Sequence, residues 1–129
     1  MPLDEQQKKA IRHMTTQYLR TVGSSKRLLD YAARSAGRSP YTHFVGDGLF
    51  AWWDAFMNPM HPDMFPIFSV RELEALKGFD AVIRSFHESG PDREMPIADF
   101  VRTTKFKEIS DAARLCSGGF KRFGLFYVA

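Results

Sequence analysis

The sequence is short of cysteine, and this scarcity excludes two classes of site. Cys116 is the only cysteine among 129 residues, so one chain holds neither an internal disulfide nor a four-cysteine zinc site. Such sparing use of thiols is typical of a reducing compartment, and we expect a cytoplasmic protein. We expect zinc to be absent or bridged between chains, because one thiolate and scattered histidines do not build a closed tetrahedral site.

Long apolar runs are missing as well. No run approaches the ~20 residues that a membrane helix needs, and the polar residues 1–13 lack the apolar segment of a secretory signal. We therefore expect no membrane contact. The hydrophobic fraction of 44% over 129 residues is typical of one globular domain and not of a disordered chain.

Basic residues are absent from the middle of the chain. Residues 41–70 contain no Lys or Arg and carry a net charge of −3, whereas residues 1–40 carry +5, residues 71–98 carry −2 and residues 99–129 carry +3. We therefore divide the single domain, 1–129, into a basic helix pair at 1–40, an aromatic and acidic helical core at 41–98, and a basic helix and tail at 99–129. Basic ends predict a surface for a polyanion; the alternative is that these charges belong to solvated helix faces.

Apolar spacing predicts two helices in the basic N-terminal part. The first covers residues 4–20 and has an inward stripe of Ile11, Met14, Tyr18, Leu19 and Val22. Gly23 lies in the turn that follows and is able to take a positive φ. Ser24 or Ser25 caps the second helix, which ends before Pro40. Its inward residues are Leu28, Leu29, Ala32, Ala33 and Ala36.

The rest of the chain also reads as helical. We predict a nearly all-apolar helix at 48–57, a proline-rich loop at 58–66, a long helix opened by the capping box Ser69–Glu72, a short helix at 96–103 and a last helix at 105–116. Gly118 and Gly119 are expected to end that helix, and residues 120–128 form either a strand or a frayed end. The predicted fold is mostly α, with one domain of five to six helices and a short extended C-terminal tail.

The first two helices have the layout of a helix-turn-helix. A short glycine-containing turn separates them, and the second helix carries cations on its outer side, as a helix in the DNA major groove requires. The predicted DNA contacts are Ser25, Lys26, Arg27, Arg34 and Arg38. A second basic set near the C-terminus comprises Lys105, Lys107, Lys121 and Arg122.

A small metal-dependent hydrolase is a rival interpretation. Its ligands would be His43, Asp47, His61 and Asp63, but their spacing matches no compact metal motif. A loop histidine and helix-capping aspartates explain the same residues. The sequence has no nucleophile elbow, Walker-type loop or GxGxxG, and Cys116 lies on an apolar stripe where a thiol acts as a small hydrophobe. We expect no enzymatic activity and no cofactor.

Several segments occur in an order that marks a family resemblance. They are Ser24-x-Lys26-Arg27-Leu28-Leu29, Gly37-Arg38-Ser39-Pro40, an aromatic helix with Phe50, Trp52 and Trp53, His61-x-Asp63-Met64-Phe65, Asp80-Ala81-Val82-Ile83-Arg84, and Leu115-Cys116-Ser117-Gly118-Gly119. Over residues 14–129 the chain resembles the FlhC family of bacterial transcriptional activators. Members form one half of the flagellar master regulator, and relatives switch on conjugative-element genes.

The resemblance implies a DNA-binding activator that works as a subunit of a hetero-oligomer. The implied partners are double-stranded DNA and a small helical FlhD-like protein. The family's zinc site needs four cysteines in two pairs, and only Cys116 stands near the first pair. We therefore expect no zinc-ordered ribbon, and either a tail packed by its aromatic residues or a truncated homologue with altered DNA binding.

The aromatic middle allows a different function. Trp52, Trp53, Phe56 and Phe65 form either core or a partner-binding surface. The two tryptophans point about 100° apart on a helix, so we expect one in the core and the other against a second subunit or the proline loop. If this surface is the functional one, the protein is an interaction module, such as an antagonist or an immunity-type binder, without DNA contact.

Overall fold

A computed structural model describes residues 3–34, 51–89 and 95–122, with side chains omitted at 51, 52, 89 and 119–122. Within these ranges the chain is mostly helical and has no strand, which confirms the predicted mostly-α class. The helices are α1 (Glu5–Val22), α2 (Ser25–Arg34), α3 (Ala51–Phe56), α4 (Val70–Ser89), α5 (Ile97–Phe100) and α6 (Thr104–Arg122), with a 3₁₀ turn at Pro62–Met64. The expected C-terminal tail beyond residue 122 lies outside the described ranges.

Helix α1 begins at a reciprocal cap. The Asp4 carboxylate accepts a hydrogen bond from the Gln7 amide at 2.7 Å, and the Gln7 side chain accepts one from the Asp4 amide at 2.9 Å. The buried stripe differs from the predicted one, since Thr15 is buried while Ile11 and Met14 are only half-buried. Thr15 tolerates burial because its hydroxyl donates to the Ile11 carbonyl at 2.7 Å.

Helix α4 opens at the predicted capping box. The Ser69 hydroxyl accepts from the Glu72 amide at 3.1 Å, and the Glu72 carboxylate accepts from the Ser69 amide at 2.8 Å. The helix then continues for five turns with a buried side formed by Leu73, Leu76, Phe79, Ile83 and Phe86. Val82 is half-buried.

Helix α6 is longer than the sequence predicted. Gly118 and Gly119 do not end it, and the helix reaches Arg122. Each glycine costs a helix only about 1 kcal/mol relative to alanine, and the preceding turns are fixed by a buried stripe: Phe106, Ile109, Ala113 and Cys116. Tertiary packing therefore outweighs the local stop signal.

Three long helices enclose the core, and α2 lies at its side. Helix α6 packs against both α4 and α1, while α2 packs against α1 and the short α5. An aromatic cluster joins α3 to this framework, with the Trp53 ring centroid 4.9 Å from those of both Tyr18 and Phe79. Packing on α1 and α5 engages one side of α2 and leaves its other side at the surface.

Candidate nucleic-acid interface

The turn between α1 and α2 is held by backbone and serine hydrogen bonds. The Gly23 amide donates to the Leu19 carbonyl at 3.0 Å and closes α1. The Ser24 hydroxyl accepts from the Arg27 amide at 3.3 Å, so Ser24 is the cap and Ser25 is the first helical residue. The two helices are thus joined by two residues, as in the predicted helix-turn-helix-like pair.

Gly23 does not use the positive φ that glycine allows. Its φ of −77° is ordinary right-handed backbone. A Cβ at this position would lie 2.9 Å from the Leu19 carbonyl oxygen and 3.3 Å from the Arg114 side chain. Glycine therefore fits the tight backbone at the end of α1, and the Arg114 side chain of α6 lies beside it.

Helix α2 presents its cations to solvent. Leu28 and Ala32 are fully buried, whereas four predicted contact residues are exposed: Ser25, Lys26, Arg27 and Arg34. The fifth, Arg38, lies outside the described residues. Ala33, which the sequence placed inward, is exposed because α2 contacts its neighbours along a narrow stripe.

Asp30 interrupts the cationic face of α2 and was not among the predicted site residues. It is exposed one helical turn after Lys26 and one before Arg34. A carboxylate here repels phosphates but accepts a hydrogen bond from the amino group of cytosine. Its spacing from Lys26 and Arg34 was the sequence signal that could have identified it.

The structure places one residue of the second basic set, Lys107, close to the first basic set on α2. A groove of about 380 Å³, hereafter the α2–α6 groove, runs between the start of α2 and the flank of α6 and is lined by Gly23, Ser25, Thr103, Lys107, Ser110 and Arg114, among others. Lys107 therefore lies beside the N-terminus of α2. Lys105 does not, because it lines a separate groove between α4 and α6 together with Glu108. Lys121 and Arg122 belong to the last turn of α6, and their side chains lie outside the described part.

Two further cations at this place were missed from the sequence. A second groove of about 530 Å³ adjoins the first at Gly23 and Arg114 and is also lined by Arg20 and Arg27. Arg114 follows Lys107 by seven residues, and this spacing puts both on one face of α6. Arg20 lies at the end of α1. The sequence contained the α6 spacing, but no local pattern indicated that this face meets the α1–α2 turn.

The predicted aromatic surface divides into core and exposed residues. Trp53 is fully buried and donates from Nε1 to the Asp80 carboxylate at 2.8 Å, so it belongs to the core and offers no surface to a partner. Phe56 is half-buried and packs edge-on against Tyr18 and Trp53. Phe65 is 58% exposed, and the Trp52 side chain lies outside the described part.

The candidate metal ligands do not assemble into a site within the described ranges. His61 accepts at Nδ1 from the Asp63 amide at 3.1 Å and caps the 3₁₀ turn, while His43 and Asp47 lie outside those ranges. Over the residues described, no three His, Cys, Asp or Glu side chains are placed to hold a metal ion together. Cys116 does not fit the zinc ligand that the FlhC resemblance implies, since it is 3% exposed and burial raises its pKa to about 12.

None of the described helices combines the length and the apolar character that crossing a membrane requires. Comparison of the chain with protein-family models, with curated proteins and with solved structures gives no match.

Proposed function

We propose that this protein is a bacterial, cytoplasmic DNA-binding transcription regulator of the FlhC type. The observation that carries the proposal is the convergence of cations from three helices on the α1–α2 turn: Arg20 from α1, Arg27 from α2, and Lys107 and Arg114 from α6. Cations clustered at the end of an exposed helix can contact the phosphates that line a DNA groove.

Helix α2 is the element that enters the major groove. Its ten residues span about 15 Å. The major groove is about 12 Å wide, so it admits a helix of this length that enters with its N-terminal end. In that pose Ser25, Lys26 and Arg27 lie closest to bases or flanking phosphates, and Arg34 reaches the backbone farther along. The α6 cations then contact the strand beside the turn.

The assembly follows from the resemblance and from the aromatic segment. We infer a hetero-oligomeric activator with a helical FlhD-like subunit, acting on flagellar or conjugative-element genes. Met60 and Phe65 support a partner surface because they are 68% and 58% exposed in the proline-rich loop. Two large apolar side chains so close in sequence are more readily covered by a subunit than left in water.

Removing positive charge from α2 tests the proposal. Phosphate contacts act on any sequence, so a mixed-sequence duplex of two helical turns serves as the probe without knowledge of the operator. The variant Lys26→Ala with Arg27→Ala should lower the slope of log affinity against log salt by about 1.8, near 0.9 for each lost contact. The control Lys9→Ala with Lys77→Ala removes the same charge from exposed lysines of α1 and α4 and should leave the slope unchanged.

Two results would contradict the proposal. One is a wild-type chain that fails to bind the duplex at low salt, alone or with a helical partner subunit; the interaction module without DNA contact is then the better description. The other is binding that responds equally to the α2 variant and to its control, because a diffuse positive charge and not α2 would then attract the DNA.

A further inference from the structure

We propose that the α2–α6 groove is a phosphate-binding site and that it holds one backbone phosphate of duplex DNA. The inference rests on the proposed function and adds to it a defined anchor formed by backbone amides, the hydroxyl of Ser110 and two cations. Such an anchor fixes the register of α2 in the major groove, because phosphate contacts position a protein while base contacts specify the sequence.

The start of α2 has unpaired amides beside this groove, which Ser24 and Ser25 line. The first amides of any helix lack intrahelical acceptors, and at α2 the Ser24 hydroxyl accepts only from Arg27, at 3.3 Å. Throughout the described ranges, no oxygen accepts from the amides of Ser25 or Lys26. The first turn of α2 also contains no acidic residue, so the positive end of the helix dipole is open to an external anion.

Ser110 is an independent observation that points to a ligand. Its side chain lines the groove and is 4% exposed, yet its hydroxyl makes no hydrogen bond to any atom in the part of the chain described here. Helical hydroxyls elsewhere behave differently: Thr15 and Thr21 each donate to a carbonyl of the preceding turn at 2.7 Å. Ser110 lines the groove, and its hydroxyl has no protein partner in the described part, so it is available to a ligand oxygen.

Two cations flank this hydroxyl on α6. Lys107 precedes Ser110 by three residues and Arg114 follows it by four, so all three lie on one face of the helix. Asp111 pairs with one terminal nitrogen of Arg114, and the remaining guanidinium nitrogens keep their donors for an anion. The chemistry is that of a phosphate site: amide and hydroxyl donors with a positive charge on each side.

The shape of the groove favours a phosphodiester over a small metabolite. It is an open channel at the surface and not an enclosed cavity, whereas pockets for small ligands bury most of the ligand. A phosphate within a polymer needs such an open channel because the chain must enter and leave on either side. The same channel opens onto the second groove at Gly23 and Arg114, where Arg20 and Arg27 can meet a neighbouring phosphate.

The decisive variant is Ser25→Glu in the full chain. A carboxylate in the first turn of a helix is stabilising, so the fold is kept while a negative charge occupies the anion position. Duplex affinity at low salt should fall about tenfold or more, since like charges brought together at an interface are strongly unfavourable. The matched variant Ser25→Gln has nearly the same size without the charge, and its affinity should fall much less than that of Ser25→Glu.

Lys107→Gln tests the α6 side of the groove. It should lower the salt slope by about 0.9, whereas Lys77→Gln, an exposed lysine of α4, should leave the slope unchanged. In parallel, inorganic phosphate is titrated into the wild-type protein and into Ser25→Glu. The amide NMR signals of Ser25 and Lys26 should shift in the wild type only.

The outcomes separate the phosphate site from the proposed function. Wild-type DNA binding that both groove variants leave intact would overturn the phosphate site and keep the regulator. A wild-type protein that does not bind duplex DNA would overturn the proposed regulator. In that case, phosphate-induced shifts at Ser25 and Lys26 would still support a phosphate site, whose ligand would be a phosphate other than that of DNA. The absence of these shifts would overturn the phosphate site as well.

Discussion

The Arg12 guanidinium donates two hydrogen bonds to the Glu72 carboxylate, from Nη1 to Oε1 at 3.3 Å and from Nη2 to Oε2 at 3.2 Å. Glu72 is 2% exposed, and the same carboxylate caps α4 by accepting from the Ser69 amide. Arg12 also donates to the Ile67 carbonyl and stacks over the Phe68 ring at 5.3 Å. One buried ion pair therefore joins the middle of α1 to the start of α4.

Breaking this pair from one side should be strongly destabilising. Arg12→Ala leaves a buried carboxylate without its partner, and we expect a loss of about 3–5 kcal/mol in the free energy of unfolding. Urea denaturation measures it. Lys8→Ala is the control, because its partner Glu5 is 83% exposed and such surface pairs contribute at most about 1 kcal/mol. Equal losses in the two variants would show that the Arg12–Glu72 pair is not buried in solution.

Two glycines should respond to alanine in opposite directions. Gly23→Ala places a Cβ 2.9 Å from the Leu19 carbonyl oxygen, which forces the turn to move and costs about 1–3 kcal/mol. Gly78→Ala meets no atom within 4 Å in the middle of α4 and should stabilise the protein by about 0.5–1 kcal/mol. Thermal unfolding of both variants checks the prediction, and a stabilising Gly23→Ala would disprove the close approach of Gly23 to the Leu19 carbonyl.

The fluorescence of Trp53 should indicate a side chain that is shielded from water. The variant Trp52→Phe leaves Trp53 as the single tryptophan, fully buried and hydrogen-bonded to Asp80. We expect blue-shifted emission that iodide does not quench until urea unfolds the protein. Quenching as efficient as that of free tryptophan would place Trp53 at the surface and return it to the partner-binding residues.

The thiol of Cys116 should be inert in the native protein. Burial, with a smaller effect from the nearby Glu72 charge, raises its pKa from 9.0 to about 12, and the thiolate is the reactive form. Near pH 8 a thiol reagent should therefore modify Cys116 at the rate of unfolding, and urea should accelerate the reaction. Rapid modification without denaturant would contradict the burial of this face of α6.

The same shift predicts a loss of stability at high pH. Between pH 9 and about 12 the folded state keeps the Cys116 proton and the unfolded state releases it, so the free energy of unfolding falls as pH rises. The slope is at most about 1.4 kcal/mol per pH unit for this thiol. Burial and the Tyr31 charge also raise the pKa of Tyr18, which adds a similar loss above pH 10. Cys116→Ala should remove the thiol contribution and keep that of Tyr18.

The helices and their caps were determined largely by the sequence. Ser69 and Glu72 stand three residues apart before an apolar run, and this local spacing was enough to locate the start of α4. The apolar stripe of α6 was equally predictable, because i, i+3 and i+4 neighbours share a helix face whatever the fold. Local signals failed at the end of α6, where the stop predicted from Gly118 and Gly119 is overridden.

The candidate site was decided by tertiary structure. The sequence identified basic residues on α2 and α6 but placed them in two separate sets, since residues 27 and 107 have no local relation along the chain. Packing of α6 against α1, with α2 folded back on α1, brings Lys107 and Ser110 to the first turn of α2. The same holds for Arg12 and Glu72. The sequence predicts that each residue lies in or at the start of a helix, but only tertiary packing brings them into contact, because they are 60 residues apart.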